Sequence, residues 1–172
     1  MYIETKEIGP SGLVVDRVIQ METDLPLEGD QRVRVDRAHL AGQLHRERGG
    51  VSFHGEIETV ATLPCSRCLE PYRLPLRMRF ELLYTTEPDR GERGEMRVDA
   101  DDVLLTRYDG VRIDLRELLS EQVYLGLPLK PLCRPECQGL CPRCGANLNH
   151  GDCGCPEEKT GDPRLEILKT LL

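Results

Sequence analysis

The sequence predicts an α+β fold: mainly an antiparallel β meander, a curved sheet or open barrel, with two short helices and a cysteine-rich C-terminal segment. Three observations predict it. Long period-two runs flank Cys65-Ser66-Arg67-Cys68, an amphipathic stretch follows Asp114, and six of the eight cysteines fall between Cys133 and Cys155. The expected organisation is a sheet domain over residues 1–132 with one helix at about 114–127. Residues 133–172 then supply the cysteine-rich segment and a C-terminal helix packed on the same unit.

Taken in order, the first thirty residues offer a strand at Tyr2 to Ile8, a turn at Gly9-Pro10-Ser11-Gly12 and an apolar run through Leu13, Val14 and Val15. From Gln31, Val33 and Val35 alternate, and Ala38, Leu40, Gly42 and Leu44 then share a face. Gly49-Gly50 marks a hairpin turn, and a second strand returns with Val51, Phe53, Gly55, Ile57, Thr59, Ala61 and Leu63 on one side. Beyond Cys68, Tyr72, Leu74, Leu76, Met78, Phe80, Leu82 and Tyr84 face one way, while Arg73, Arg77, Arg79 and Glu81 face the other. The first C-x-x-C therefore lies in the connection between two long antiparallel strands.

Thr85 to Asp102 is polar and rich in glycine and acids, an expected exposed loop. Val103 to Tyr108 and Val111 to Ile113 are expected to form a short hairpin across Asp109-Gly110. Asp114 can cap a helix and Glu117 can close a capping box, with Leu115, Leu118, Leu119, Gln122, Val123 and Gly126 along the inward stripe. Pro128 stops that helix, and an extended Leu127 to Leu132 segment leads into the cysteines. Asp162-Pro163 opens a final helix that offers Leu165, Leu168, Leu171 and Leu172 for docking.

The core is lean: aromatic residues are 4% of the chain, Trp is absent and charged residues are 31%. Metal staples suit such a chain, because ligation supplies folding free energy where apolar burial is thin. The cysteines pair as Cys65/Cys68, Cys133/Cys137, Cys141/Cys144 and Cys153/Cys155, which makes two four-thiolate sites with none left over. Zn²⁺, which takes four soft ligands about 2.3 Å away, is expected at two per chain; an iron-sulfur cluster takes the same ligands. Disulfides need an oxidising compartment, and the opening stretch has no apolar run of signal-peptide length, so a cytoplasmic protein is expected.

Spacing favours a local site from Cys141, Cys144, Cys153 and Cys155, with Cys65, Cys68, Cys133 and Cys137 meeting in a composite site. The rival pairing sets the two C-x-x-C knuckles against each other, as in a zinc ribbon. His150 lies near Cys153 but reads as an exposed turn residue, and His39, His45 and His54 read as surface histidines.

Four-cysteine sites have no open coordination position, and no serine triad, H-E-x-x-H, phosphate loop or dinucleotide fingerprint is present. The expectation is therefore a protein that is not an enzyme, with no small-molecule substrate and no membrane span. The class alternative is a thiol redox or metal-handling protein, in which arginine-flanked Cys65 and Cys68 would be reactive. The net charge of −7 falls to about −11 with two Zn(Cys)₄ sites, which disfavours general nucleic-acid binding. Residues 31–80 nevertheless carry nine basic and five acidic side chains, so Arg67, Arg73, Arg77 and Arg79 are candidate RNA or partner contacts.

Together, Cys65-Ser66-Arg67-Cys68-Leu69-Glu70-Pro71, the EQVYLGLPLKPLC stretch from Glu121 to Cys133, CQGLCPRCGANLN from Cys137 to Asn149, and Asp162-Pro163-Arg164-Leu165 resemble the YceD family of large ribosomal RNA subunit accumulation proteins. The resemblance implies a non-enzymatic bacterial factor that supports accumulation of large-subunit ribosomal RNA and ribosome biogenesis. Within that role the expected partner is a ribosomal protein or large-subunit assembly intermediate, met by the acidic surface while the arginines near Cys65 touch RNA locally; a direct RNA binder is the alternative that the negative total disfavours and the arginine strand permits.

Overall fold

The computed structural model of the chain describes residues 1–26, 32–48, 50–86 and 105–156. The strands are β1 (Tyr2–Glu4), β2 (Leu13–Pro26), β3 (Arg32–Glu47), β4 (Gly50–Pro64), β5 (Pro71–Thr85), β6 (Leu105–Arg107) and β7 (Arg112–Asp114), followed by helix α1 (Leu115–Gly126). Strands β2 to β5 form the expected antiparallel meander, in the order β2-β3-β4-β5-β6, and β1 pairs with β7 in a second, two-stranded sheet. The larger sheet ends in two edges and is not a closed barrel. It curls instead: α1 touches both β5 and β2, which lie three strands apart in the sheet.

Alternation places one face of each long strand inside. Val51, Phe53, Ile57, Ala61 and Leu63 of β4 are buried, as are Leu40 and Leu44 of β3 and Val15 and Ile19 of β2. The change of parity between Val35 and Ala38 is a β-bulge, where β3 carries one residue more than β4. Thr59 ties the bulge down by donating its hydroxyl to the Arg37 carbonyl at 2.7 Å. Gly42 and Gly55 face each other across β3 and β4. A Cβ on Gly55 would stand 2.4 Å from the Ala41 carbonyl oxygen and 3.1 Å from Phe80, so this pair lets the strands cross closely beneath the Phe53–Phe80 edge-to-face contact at 5.0 Å.

Asp114 caps α1 by accepting the Arg116 backbone N–H at 2.9 Å, and Leu115, Leu118, Leu119 and Val123 are buried along the predicted stripe. Gly126 ends the helix against Met78, close enough that any side chain there would clash.

Two expectations fail near the helix. The strand at Tyr2 to Ile8 stops at Glu4 and becomes a 3₁₀ turn over Thr5–Glu7. The hairpin across Asp109-Gly110 is absent: β6 runs parallel to β5, while β7 pairs with β1. The turn itself forms, since the Asp109 carboxylate accepts the N–H groups of Val111 and Arg112 at 2.8 Å each. Thr5 then captures the chain beyond the turn, donating its backbone N–H to the Val111 carbonyl at 2.9 Å. Gly49, most of the polar loop and the C-terminal helix lie outside the described residues.

Candidate metal centres

The first knuckle grows out of the β4–β5 connection. The Cys65 N–H donates to the Glu70 carbonyl and the Leu69 N–H to the Cys65 carbonyl, both at 2.9 Å. The second repeats this pattern: the Cys141 N–H donates to the Ala146 carbonyl at 2.8 Å, and the Gly145 N–H to the Cys141 carbonyl at 2.9 Å. Each turn passes through the left-handed region just after its second cysteine, at φ 61° for Leu69 and 74° for Gly145. Glycine accepts that conformation freely, whereas a leucine pays about 1–2 kcal/mol for it. Leu69 does so while exposed.

The eight thiols gather into two groups. Cys65, Cys68, Cys133 and Cys137 form one, Cys141, Cys144, Cys153 and Cys155 the other, and within each group all four sulfurs lie within 4.8 Å of one another. This is the local-plus-composite arrangement that spacing favours, not the ribbon pairing. Four sulfurs placed tetrahedrally about 2.3 Å from an ion stand about 3.8 Å apart. Cys65 and Cys137 Sγ are 3.7 Å apart, and Cys68 and Cys133 Sγ 3.8 Å. All eight cysteines are free, since a disulfide brings sulfurs to about 2.05 Å. The donor set fits one soft tetrahedral cation per cage.

The composite cage is the more enclosed: Cys65, Cys68 and Cys137 are buried and Cys133 is half-buried, while in the local cage only Cys141 is buried and Cys144 is exposed. Two bonds bring the distant halves of the composite cage together. The Ser66 N–H donates to the Pro131 carbonyl at 2.8 Å, and the Arg67 guanidinium to the Cys137 carbonyl at 2.7 Å.

The electrostatics of the cages divide the thiols. Burial pushes the Cys65 thiol up, but the backbone N–H groups of Cys68, Cys133 and Arg67 outweigh it and bring Cys65 down to about 6. The N–H groups of Cys144 and Arg143 likewise bring Cys141 down to about 6. Burial and the thiol neighbours Cys137, Cys65 and Cys68 push Cys133 up to about 12, and Cys144 and Cys153 push Cys155 up to about 12. Within each cage the backbone N–H groups favour the charged form of one cysteine, while the neighbouring sulfurs disfavour it at another.

The remaining candidates fall elsewhere. His150 is exposed and faces Glu70 at 3.5 Å, outside both cages. Among the arginines, Arg67 is committed to the composite cage. Arg77 grips Glu56, with its second guanidinium nitrogen 3.0 Å from the carboxylate, and also reaches Glu58 at 3.3 Å; Arg79 lies 3.8 Å from Glu56. The register that sets Arg77 opposite Glu58 and Arg79 opposite Glu56 makes these contacts, and Arg73 stands opposite Thr62. Much of the basic stripe is thereby neutralised within the sheet.

Sequence spacing singled out no role for Asn149. Its Nδ2 lies 3.3 Å from Cys137 Sγ, and its Oδ1 accepts from the Gln138 N–H at 2.9 Å and from Arg134 at 2.8 Å. A short amide side chain between two ligand pairs is the signal that could have found it.

The family model for "Large ribosomal RNA subunit accumulation protein YceD" matches residues 53–172, which takes in both knuckles and both cages. The chain belongs to the YceD family. It is 32% identical over 133 residues to the maize "Large ribosomal RNA subunit accumulation protein YCED homolog 1, chloroplastic", covering 64% of this chain and 45% of that protein. The Arabidopsis thaliana protein of the same name is 31% identical over 135 residues, 66% of this chain and 42% of its own length. An uncharacterized protein of Mycobacterium bovis is 34% identical over 99 residues, 58% of this chain and 45% of that one. The chain thus spans somewhat under half the length of the curated relatives it matches. No solved structure matches. Among the described residues, no helix is long and apolar enough to cross a membrane.

Proposed function

We propose that this YceD-family chain is a zinc-stapled, non-enzymatic factor that supports accumulation of large-subunit ribosomal RNA through contacts with a ribosomal protein or assembly intermediate. The observation that carries the reading is the pair of closed four-thiol cages within the residues matched by the family model. Zinc is the ion of choice because it takes four thiolates in a tetrahedron and stabilises folds without redox chemistry. A closed cage leaves no coordination position for substrate, which supports a structural role over a catalytic one. The zinc would be held by Cys65, Cys68, Cys133 and Cys137 and by Cys141, Cys144, Cys153 and Cys155. Its contribution is to fix the β4–β5 connection against the segment that follows α1.

A protein partner is favoured over bulk RNA for two reasons. The net charge of −7 suits a basic protein, and Arg77 and Arg79 are engaged by glutamates. Arg73 retains a place for local RNA contact.

The test is genetic and biochemical together. Deletion of the gene should lower large-subunit relative to small-subunit ribosomal RNA, and the wild-type chain should restore the ratio. Replacing Arg73, Arg77 and Arg79 with alanine should leave rescue intact, and capture from lysate should retain ribosomal proteins after ribonuclease treatment. Rescue that is lost with those arginines, together with ribonuclease-sensitive capture, would move the function to direct RNA binding. Rapid alkylation of Cys65 or Cys68 in the folded, freshly isolated protein would favour thiol chemistry instead.

A further inference from the structure

We propose that Asn149 couples the two cages, so that an ion in the local site raises the affinity of the composite site for its own ion. The inference rests on the metal reading given above and goes beyond it to the order and cooperativity of loading.

The chain path makes the link. Residues 145–152 run between Cys144 and Cys153, both members of the local cage. The middle of this segment leaves that cage and lies against the other. Asn147 bridges Leu140 in antiparallel fashion, the Leu148 N–H donates to the Gly139 carbonyl at 2.9 Å, and Asn149 arrives beside Cys137 of the composite cage. An ion bound locally pins both ends of the segment, which removes much of the conformational freedom that Asn149 would otherwise lose on reaching Cys137.

The amide is oriented for a thiolate. Its Oδ1 accepts from Gln138 and Arg134, so the Nδ2 side is turned toward Cys137 Sγ at 3.3 Å and Asn147 Oδ1 at 2.7 Å. An N–H aimed at sulfur favours the charged, metal-binding form, and loss of such an outer contact typically weakens metal affinity about 10–100-fold. Asn149 is therefore a positioning residue: it ligates nothing, but its placement depends on one cage and its hydrogen bond serves the other. Coupling of this kind is reciprocal, so the composite ion strengthens the local site by the same factor.

The experiment titrates metal-free full-length chain with Zn²⁺ against a chromophoric chelator and repeats the titration with Co²⁺, whose thiolate absorption reports four-sulfur ligation. Cys65→Ser with Cys68→Ser isolates the local site, and Cys141→Ser with Cys144→Ser isolates the composite one. Asn149→Asp keeps the acceptor for Gln138 and Arg134 and removes the donor to sulfur, but it sets a carboxylate oxygen beside Cys137 Sγ and Asn147 Oδ1; Asn149→Leu, of similar size and uncharged, removes the donor without that repulsion and should give the same pattern. The composite site should bind about 10–100-fold more weakly when isolated than in the wild type. Asn149→Asp should produce the same loss with every cysteine present, should add no more than about twofold to it in the isolated composite variant, and should leave the isolated local site unchanged. Composite affinity within about twofold of wild type in Asn149→Asp, or losses that multiply when the changes are combined, overturns the coupling while leaving two independent metal sites in place. If the isolated composite variant fails to fold, the reciprocal measurement decides: the local site of the Cys65→Ser/Cys68→Ser variant should bind about 10–100-fold more weakly than in the wild type, and a local affinity within about twofold of wild type overturns the coupling. Wild-type chain that takes up no metal contradicts the reading beneath the inference as well.

Discussion

Replacing Cys65 and Cys68 together by serine removes half of the composite cage and opens its tether. The tether joins the β4–β5 knuckle to the segment after α1, closing a loop of about 65 residues between Cys68 and Cys133. In the chain-entropy view, a crosslink closing a loop of that length stabilises the fold by about 4 kcal/mol. The corresponding change at Cys141 and Cys144 opens a loop of only about ten residues, worth about 3 kcal/mol on the same scale. With a urea dependence of about 2 kcal/mol per molar, the first variant should unfold about 2 M earlier than wild type, and the second about 1.5 M earlier. Metal analysis should find one ion in each. Urea unfolding followed by circular dichroism, with zinc determined on the same samples, measures both quantities. Loss of both ions from the Cys65/Cys68 variant, or a midpoint within about 0.5 M of wild type, would refute the composite tether.

Three further outcomes are expected. Leu69→Gly should raise the unfolding midpoint by the equivalent of about 1 kcal/mol, because it relieves a left-handed leucine that the second knuckle replaces with Gly145; a lower midpoint would mean that the leucine's own contacts outweigh the strain. Gly55→Ala should cost about 1–3 kcal/mol, since its Cβ would meet the Ala41 carbonyl at 2.4 Å, and differential scanning calorimetry that shows no loss would contradict the close strand crossing. Metal uptake at pH 7 should release protons from the thiols held above neutrality, Cys68, Cys133, Cys153 and Cys155 among them. Affinity should therefore fall as pH drops, and fall further once the thiols near 6 at Cys65 and Cys141 also take up protons. Calorimetry in buffers of different ionisation enthalpy checks the sign, and pH-independent uptake would contradict it.

Long-range order in this chain was legible where a single face is buried. The alternation of β3, β4 and β5 specified strands, register and the placement of Cys65 and Cys68, because a one-residue slip would turn Phe53 or Ile57 to solvent. Helix α1 was legible from its Asp114 cap and leucine stripe. The failures share a cause. Strands β6 and β7 span three residues each, too few for period to declare a partner, and β7 is claimed by the N-terminus through Thr5, more than a hundred residues away. Cysteine spacing narrowed the cages to two pairings and favoured the one that forms, whereas the Ser66–Pro131 backbone bond that brings the distant halves of the composite cage together has no side-chain signature.

Ligation at the sulfur cages would hold the β4–β5 connection to the segment after α1. X-ray absorption at the zinc edge, on protein isolated without added metal, tests it most directly. Two zinc ions per chain are expected, each with four sulfur neighbours at about 2.3 Å. Absence of metal, or a first shell of nitrogen and oxygen, would contradict it.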